Sequence, residues 1–147
     1  MADMAGRILA LDVGDVRIGV AVSDPTGTIA QPLEVYRRVG YGPDSRYVAA
    51  LCQRMDCESV LLGLPLNMDG TEGERAAKSR KLAKTVELWS GLPVRMWDER
   101  QTTCAAADLL DESGTYGSRR KEILDSVSAT VILEDYLAWR KEHPGEM

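Results

Sequence analysis

The apolar residues of this chain change period once, and that change constrains the fold more than any other feature. Up to Tyr36 they alternate or run unbroken, as in strands; from Ser45 helical spacing sets in between short strand-like runs. Arg7 to Val13 reads as a first strand with both faces apolar, as at the centre of a sheet. Gly14 and Asp15 make a tight turn, and Arg17 to Ser23 alternates as a second strand, so the two form a hairpin. Thr28 to Tyr36 is the third strand, after the Asp24-Pro25-Thr26-Gly27 turn, and Pro32 implies an edge or a bulge.

Val48, Leu51 and Met55 predict a helix from Ser45, and Ser59 to Leu64 is a short apolar strand. Thr71, with Glu74 three residues on, is a capping-box signature. On the helix it opens, Leu82, Val86 and Trp89 share one face, opposite Arg80, Lys84 and Glu87. Gly91 ends that helix, Pro93 to Trp97 is a further strand, and Thr102 or Thr103 caps a helix carrying Ala106, Leu109 and Leu110. A Gly/Ser-rich basic loop, Gly114 to Lys121, leads into a last helix ending near Lys141. A hairpin-led meander followed by alternating strands and helices makes an α/β fold, a mixed sheet with helices on its faces.

With 147 residues the chain has the length of one domain, expected to span 1–147 with short flexible tails at 1–5 and about 142–147. Acidic residues outnumber basic ones, 23 to 18, which argues against indiscriminate duplex binding through a broad basic surface. No apolar run approaches the ~18 residues of a membrane span, and Met1 to Gly6 lacks a signal-peptide core. Cys52, Cys57 and Cys104 have no disulfide-framework spacing, so reduced thiols in a cytoplasm are expected. The single histidine, His143, lies in the tail, which excludes a His-based triad and a His-containing zinc site.

What remains for chemistry is carboxylates at element ends. Asp12 closes the first strand on the face of Ile8 and Ala10, although Asp before Gly, taken alone, is more simply turn chemistry. Asp125 shares a helical face with Ala129, Ile132 and Tyr136, so it points with the core-facing stripe; a buried carboxylate needs a metal or a cation. Asp98 and Glu99 end the strand before Arg100, and alternation does not say which of the two faces the site. Such carboxylates suit Mg²⁺ or Mn²⁺, which take oxygen ligands and promote in-line phosphodiester displacement.

Leu11-Asp12-Val13-Gly14 with Arg17-Ile18-Gly19-Val20-Ala21-Val22-Ser23-Asp24 resembles the opening of the YqgF family. These are RNase H-like proteins described as Holliday-junction resolvases and as pre-16S rRNA processing nucleases. The likeness continues through Gly63-Leu64-Pro65-Leu66-Asn67-Met68-Asp69-Gly70-Thr71 with Gly73, Leu92-Pro93-Val94, and Asp98-Glu99-Arg100 with Thr102-Thr103. It ends in Asp125, Ala129, Ile132-Leu133 and Tyr136-Leu137. The resemblance implies an RNase H-like mixed five-stranded sheet flanked by helices. It also implies catalytic, metal-holding roles for Asp12, Glu99 and Asp125, and so selects Glu99 over Asp98. Gln101 stands where the family usually has leucine, and Ser128 where it has alanine.

Nucleic acid is the expected partner, ribosomal precursor RNA ahead of branched DNA, for a cytoplasmic monomer or weak homodimer. The residues expected to meet it are Gly14, Arg17, Asn67, Arg100, Thr102, Arg119 and Lys121. Asn67 belongs to a glycine-containing loop before a helix N-terminus, which can offer amides to phosphate but lacks a P-loop ending. Arg75 to Lys84 read as a solvated helix face. Trp89, Trp97 and Trp139 read as core or interface packing, not as a platform for bases. Two other classes compete: a non-catalytic binding protein of ribosome maturation or transcription, and a phosphotransfer enzyme of the sugar-kinase and actin type. The latter needs a second nucleotide-binding domain, for which this length leaves no room.

Overall fold

The computed structural model describes residues 6–98 and 117–142, with side chains in the second segment from 127 onward. Five strands form one mixed sheet: β1 (Ile8–Val13), β2 (Arg17–Ser23), β3 (Ala30–Arg37), β4 (Ser59–Leu64) and β5 (Val94–Asp98). Their order is β3-β2-β1-β4-β5. The β1–β2 and β2–β3 pairs are antiparallel, while β1–β4 and β4–β5 are parallel. Among the described residues three helices accompany them: α1 (Tyr41–Arg54), α2 (Glu74–Ser90) and α3 (Gly117–Glu142).

β1 lies at the centre of the sheet, which is why its sequence is apolar on both faces. Leu9 and Leu11 join Val20, Val22, Val60 and Leu62 on one face, packed against Val48 and Leu51 of α1 and Leu82 and Val86 of α2. Ile8 and Ala10 join Ala21 and Leu61 on the other, packed against Ala129, Ile132, Leu133 and Tyr136 of α3. Both expectations for Pro32 hold. β3 is an edge strand, and its register slips because Val20 pairs Glu34 while Ala21 pairs Pro32, leaving Leu33 as the extra residue.

Several local expectations need correction. α1 begins at Tyr41 rather than Ser45, with Gly40 before it and Pro43 inside the first turn, where a missing N–H is harmless. α2 begins at Glu74 with Gly73 at its N-cap and no side-chain cap, so Thr71 and Glu74 form no capping box. The Thr71 hydroxyl instead donates to Asp69 Oδ1 at 2.6 Å and accepts from Asn67 Nδ2 at 3.0 Å. Trp89 leaves the helix face it was expected to share: it is 54% exposed, with the Arg46 guanidinium over its ring. Gly117 to Lys121, expected to be loop, is the first part of α3. The helix carrying Ala106, Leu109 and Leu110 lies outside the described residues, as do Cys104 and His143.

Candidate active site

The parallel strands β1, β4 and β5 end together, and Asp12 sits at that end on the α3 face. Its antiparallel partner is Gly19. Continuing the β1–β4 register by one residue brings Gly63 to its other side, and Gly63 pairs Trp97. Across the sheet the row therefore reads Gly19, Asp12, Gly63, Trp97. The half-buried carboxylate stands between two residues without side chains, both of them buried. In the sequence Gly63 opens the loop able to offer amides to phosphate and Gly19 belongs to the second strand, and nothing there places either beside Asp12. Glycine inside an apolar strand is the signal that could have found them, but only the register makes them neighbours.

The β1–β2 turn beside Asp12 is held from outside. Gly14 N–H donates to the Arg17 carbonyl at 2.8 Å, and the Gly14 carbonyl accepts from Arg38 Nη1 at 2.9 Å. Arg38 Nε in turn donates to Asp44 Oδ2 at 2.9 Å, and Asp44 Oδ1 accepts from the backbone N–H of Val39 at 2.9 Å and Gly40 at 3.3 Å. Asp44 is fully buried. Burial alone would raise its pKa, yet the Val39 amide, the Arg38 guanidinium and the Gly40 amide together hold it below the usual carboxylate range. Gly14 thus anchors the turn through its backbone, and Arg17, two residues before Gly19, begins β2 on the Asp12 face.

Asn67 lies in a small exposed hairpin between β4 and α2. Its N–H donates to the Thr71 carbonyl, its carbonyl accepts from Gly70 N–H, both at 2.8 Å, and Leu66 bridges Glu72. The loop's polar groups bond one another, and Gly70 takes the left-handed φ of 89° that the turn requires.

Trp97 belongs to the cluster under α3, whereas Met96 packs with the opposite core. Asp98 follows Met96's parity, away from α3. Trp97 is fixed by an indole bond to Asp135 Oδ2 at 2.8 Å and by edge contacts to Tyr136 and Trp139. Glu99, Arg100 and Thr102 lie outside the described residues. Asp125, Arg119 and Lys121 belong to α3, and their side chains lie outside the description. Among the described residues no group of three His, Cys, Asp or Glu side chains is placed to hold a metal, and no helix is long and apolar enough to cross a membrane.

Comparison with known proteins identifies the family. Residues 6–139 match the family model described as RuvX, Holliday junction resolvase. A Syntrophomonas wolfei protein is 41% identical over 131 residues, covering 89% of this chain and 93% of its own length. A Myxococcus xanthus protein is 44% identical over 131 residues, covering 89% and 87%. Both bear the name "Putative pre-16S rRNA nuclease". Thermus thermophilus RuvC, solved in complex with a Holliday junction substrate, superimposes with a TM-score of 0.60 at 17% identity, covering 93% of this chain and 96% of its own. The fowlpox virus Holliday junction resolvase gives 0.52 at 16% identity, covering 90% and 99%. At these identities the structural likeness is one of fold, and that fold is RNase H-like. Since the family model runs through nearly every described element and the relatives agree in sequence along the same span, the chain belongs to the RuvX (YqgF) family.

Proposed function

We propose that this protein is a metal-dependent endonuclease of structured nucleic acid, with Asp12, Glu99 and Asp125 as its catalytic carboxylates. The observation that carries the reading is Asp12 at the C-terminal end of the central strand, flanked by Gly19 and Gly63 on the α3 face. A half-buried carboxylate with no side chain on either neighbour in its row fits a small oxygen-seeking cation such as Mg²⁺ or Mn²⁺.

Two further features support the other members of the set. Glu99 has the parity of Trp97, so a strand continued by one residue would present it on the α3 face. The far end of α3 is pinned where Arg140 Nη2 donates to the Gly27 carbonyl at 2.9 Å, beyond the C-terminal end of β2. From Arg140 back to Asp125 the helix rises about 22 Å. Along β2, Ser23 to Gly19 takes about 13 Å and the turn to Gly27 several more, a span comparable with that rise, which supports Asp125 as a partner of Asp12.

When bound, a divalent ion supplies charge stabilisation at the phosphorus and a more acidic water. Asp12, Glu99 and Asp125 would hold it. Arg17, Arg100, Arg119 and Lys121 would neutralise the phosphate backbone, with Gly14, Asn67 and Thr102 positioning it. We take the substrate to be the 16S rRNA precursor, following the relatives' name, and the setting to be cytoplasmic, with a single-domain monomer or weak homodimer acting. Branched DNA is the second reading, favoured by the family's description and by the RuvC likeness.

The test is cleavage of precursor 16S rRNA and of a four-way DNA junction by the purified protein, each with and without Mn²⁺. Asp12→Asn should abolish metal-dependent scission while leaving the circular dichroism spectrum intact. Undiminished scission by that variant removes the proposed mechanism, and binding without scission by the wild type turns the protein into a non-catalytic module.

A further inference from the structure

The corner between α1 and β4 carries chemistry the nuclease reading does not use. Cys57 N–H donates to the Cys52 carbonyl at 2.8 Å and Asp56 N–H to the Gln53 carbonyl at 3.3 Å, while Asp56 is left-handed with φ 56°. With Met55 at the C-cap, this is the paired bonding of a Schellman motif. That motif brings together the side chains of the residues at its two ends, here Cys52 and Cys57. Adding the Cα–O and N–Cα spans to the 2.8 Å bond limits the Cα–Cα separation to about 6.7 Å, within the ~4.4–6.8 Å that a disulfide bridges.

We propose that Cys52 and Cys57 are a thiol–disulfide modification site, closed into an intramolecular cystine by a small-molecule disulfide. Both thiols are free, and both lie in the core cluster beneath α1. The intervening Gln53, Arg54 and Asp56 are exposed, so the corner itself faces solvent. The Cys52 thiol donates to the Cys57 sulfur, which together with the positive charge of Arg7 holds Cys57 below the usual thiol range despite its burial. The same bond, then burial, pushes Cys52 up. Cys57, 8% exposed against 2% for Cys52, is the sulfur nearer solvent and so the attacking one, with Cys52 resolving.

In the first step the Cys57 thiolate attacks one sulfur of glutathione disulfide, whose S–S bond breaks and releases a glutathione thiolate that takes up a proton. In the second, Cys52 gives its proton to solvent and attacks the Cys57 sulfur of the mixed disulfide, expelling the second glutathione. Two protein thiols are oxidised and one glutathione disulfide is reduced to two thiols.

Arg54 lies between the two cysteines, so trypsin reports the bond directly. Folded full-length protein treated with glutathione disulfide, alkylated and digested without reductant should yield peptide Tyr47–Arg54 linked to peptide Met55–Arg75. Cys52→Ser should instead accumulate glutathione on Cys57, and Cys57→Ser should leave Cys52 unmodified. Asp56→Val retains both thiols but disfavours the left-handed turn, and pairing should slow about tenfold. Failure to recover the linked pair from the wild type overturns the proposal, as does pairing of either cysteine chiefly with Cys104. Linkage undiminished by Asp56→Val removes its geometric basis.

Discussion

Removing the Asp44 carboxylate should destabilise the protein more than any other single surface-remote polar change in the described region. Asp44→Ala deletes a fully buried acceptor that serves Arg38 Nε and the amides of Val39 and Gly40. Arg38, with a side chain only 13% exposed, is then left without its counter-charge. Breaking a buried pair in this way costs about 3–5 kcal/mol. Asp44→Asn keeps one oxygen for the two amides but sets an amide group against the guanidinium, for a loss of about 1.5–3 kcal/mol. Urea unfolding midpoints at constant slope provide the measurement. The pH dependence carries a sign of its own. Because Asp44's folded pKa is depressed, its contribution is complete above the unfolded value near 3.9 and is lost as pH falls through the folded value. The gap between wild type and Asp44→Asn should therefore shrink below about pH 4. An Asp44→Ala protein within about 0.5 kcal/mol of wild type would refute this account of the corner.

Two other changes test the surroundings of Asp12. Gly63→Val puts a branched side chain into the row beside the carboxylate, and cleavage should fall about a hundredfold, as displaced ligands of this kind do; unchanged turnover would show that Asp12 does not depend on its glycine neighbour. Trp97→Phe loses the indole bond to Asp135 and part of the contact with Tyr136 and Trp139, and should lower unfolding stability by about 2–3 kcal/mol. A loss under 0.5 kcal/mol would mean that this bond does not fix the end of β5.

The strands were readable because apolar runs bounded by Gly, Asp and Pro leave few alternatives. β2 and β4 fall where the alternation put them, and β1 differs by one residue. Helix starts were harder. Gly40, Gly42 and Pro43 look like turn residues, yet a proline in the first helical turn is sterically harmless, so α1 starts four residues early. Thr71 has the spacing of a cap but is drawn into the Asn67–Asp69 hairpin by shorter-range bonds, and Gly73 takes the cap position. Gly114 to Lys121 reads as loop because of its glycines, its serine and its basic run, yet Arg119 to Lys121 are good helix formers and α3 begins at Gly117. Asp12 was visible as a strand-end carboxylate, but its two glycine neighbours come from other strands and exist only once the register does. The Cys52–Cys57 contact was hidden for a similar reason: the left-handed residue that creates it is Asp56, not the glycine that usually announces such a turn.

The most direct measurement is Mn²⁺ binding to the wild-type protein and to Asp12→Asn by titration calorimetry, without substrate, with folding checked by circular dichroism. A carboxylate centre built on Asp12 predicts saturable binding that the variant loses by about tenfold or more while its spectrum stays the same. Equal Mn²⁺ affinity in the two proteins would contradict a metal centre at the end of β1.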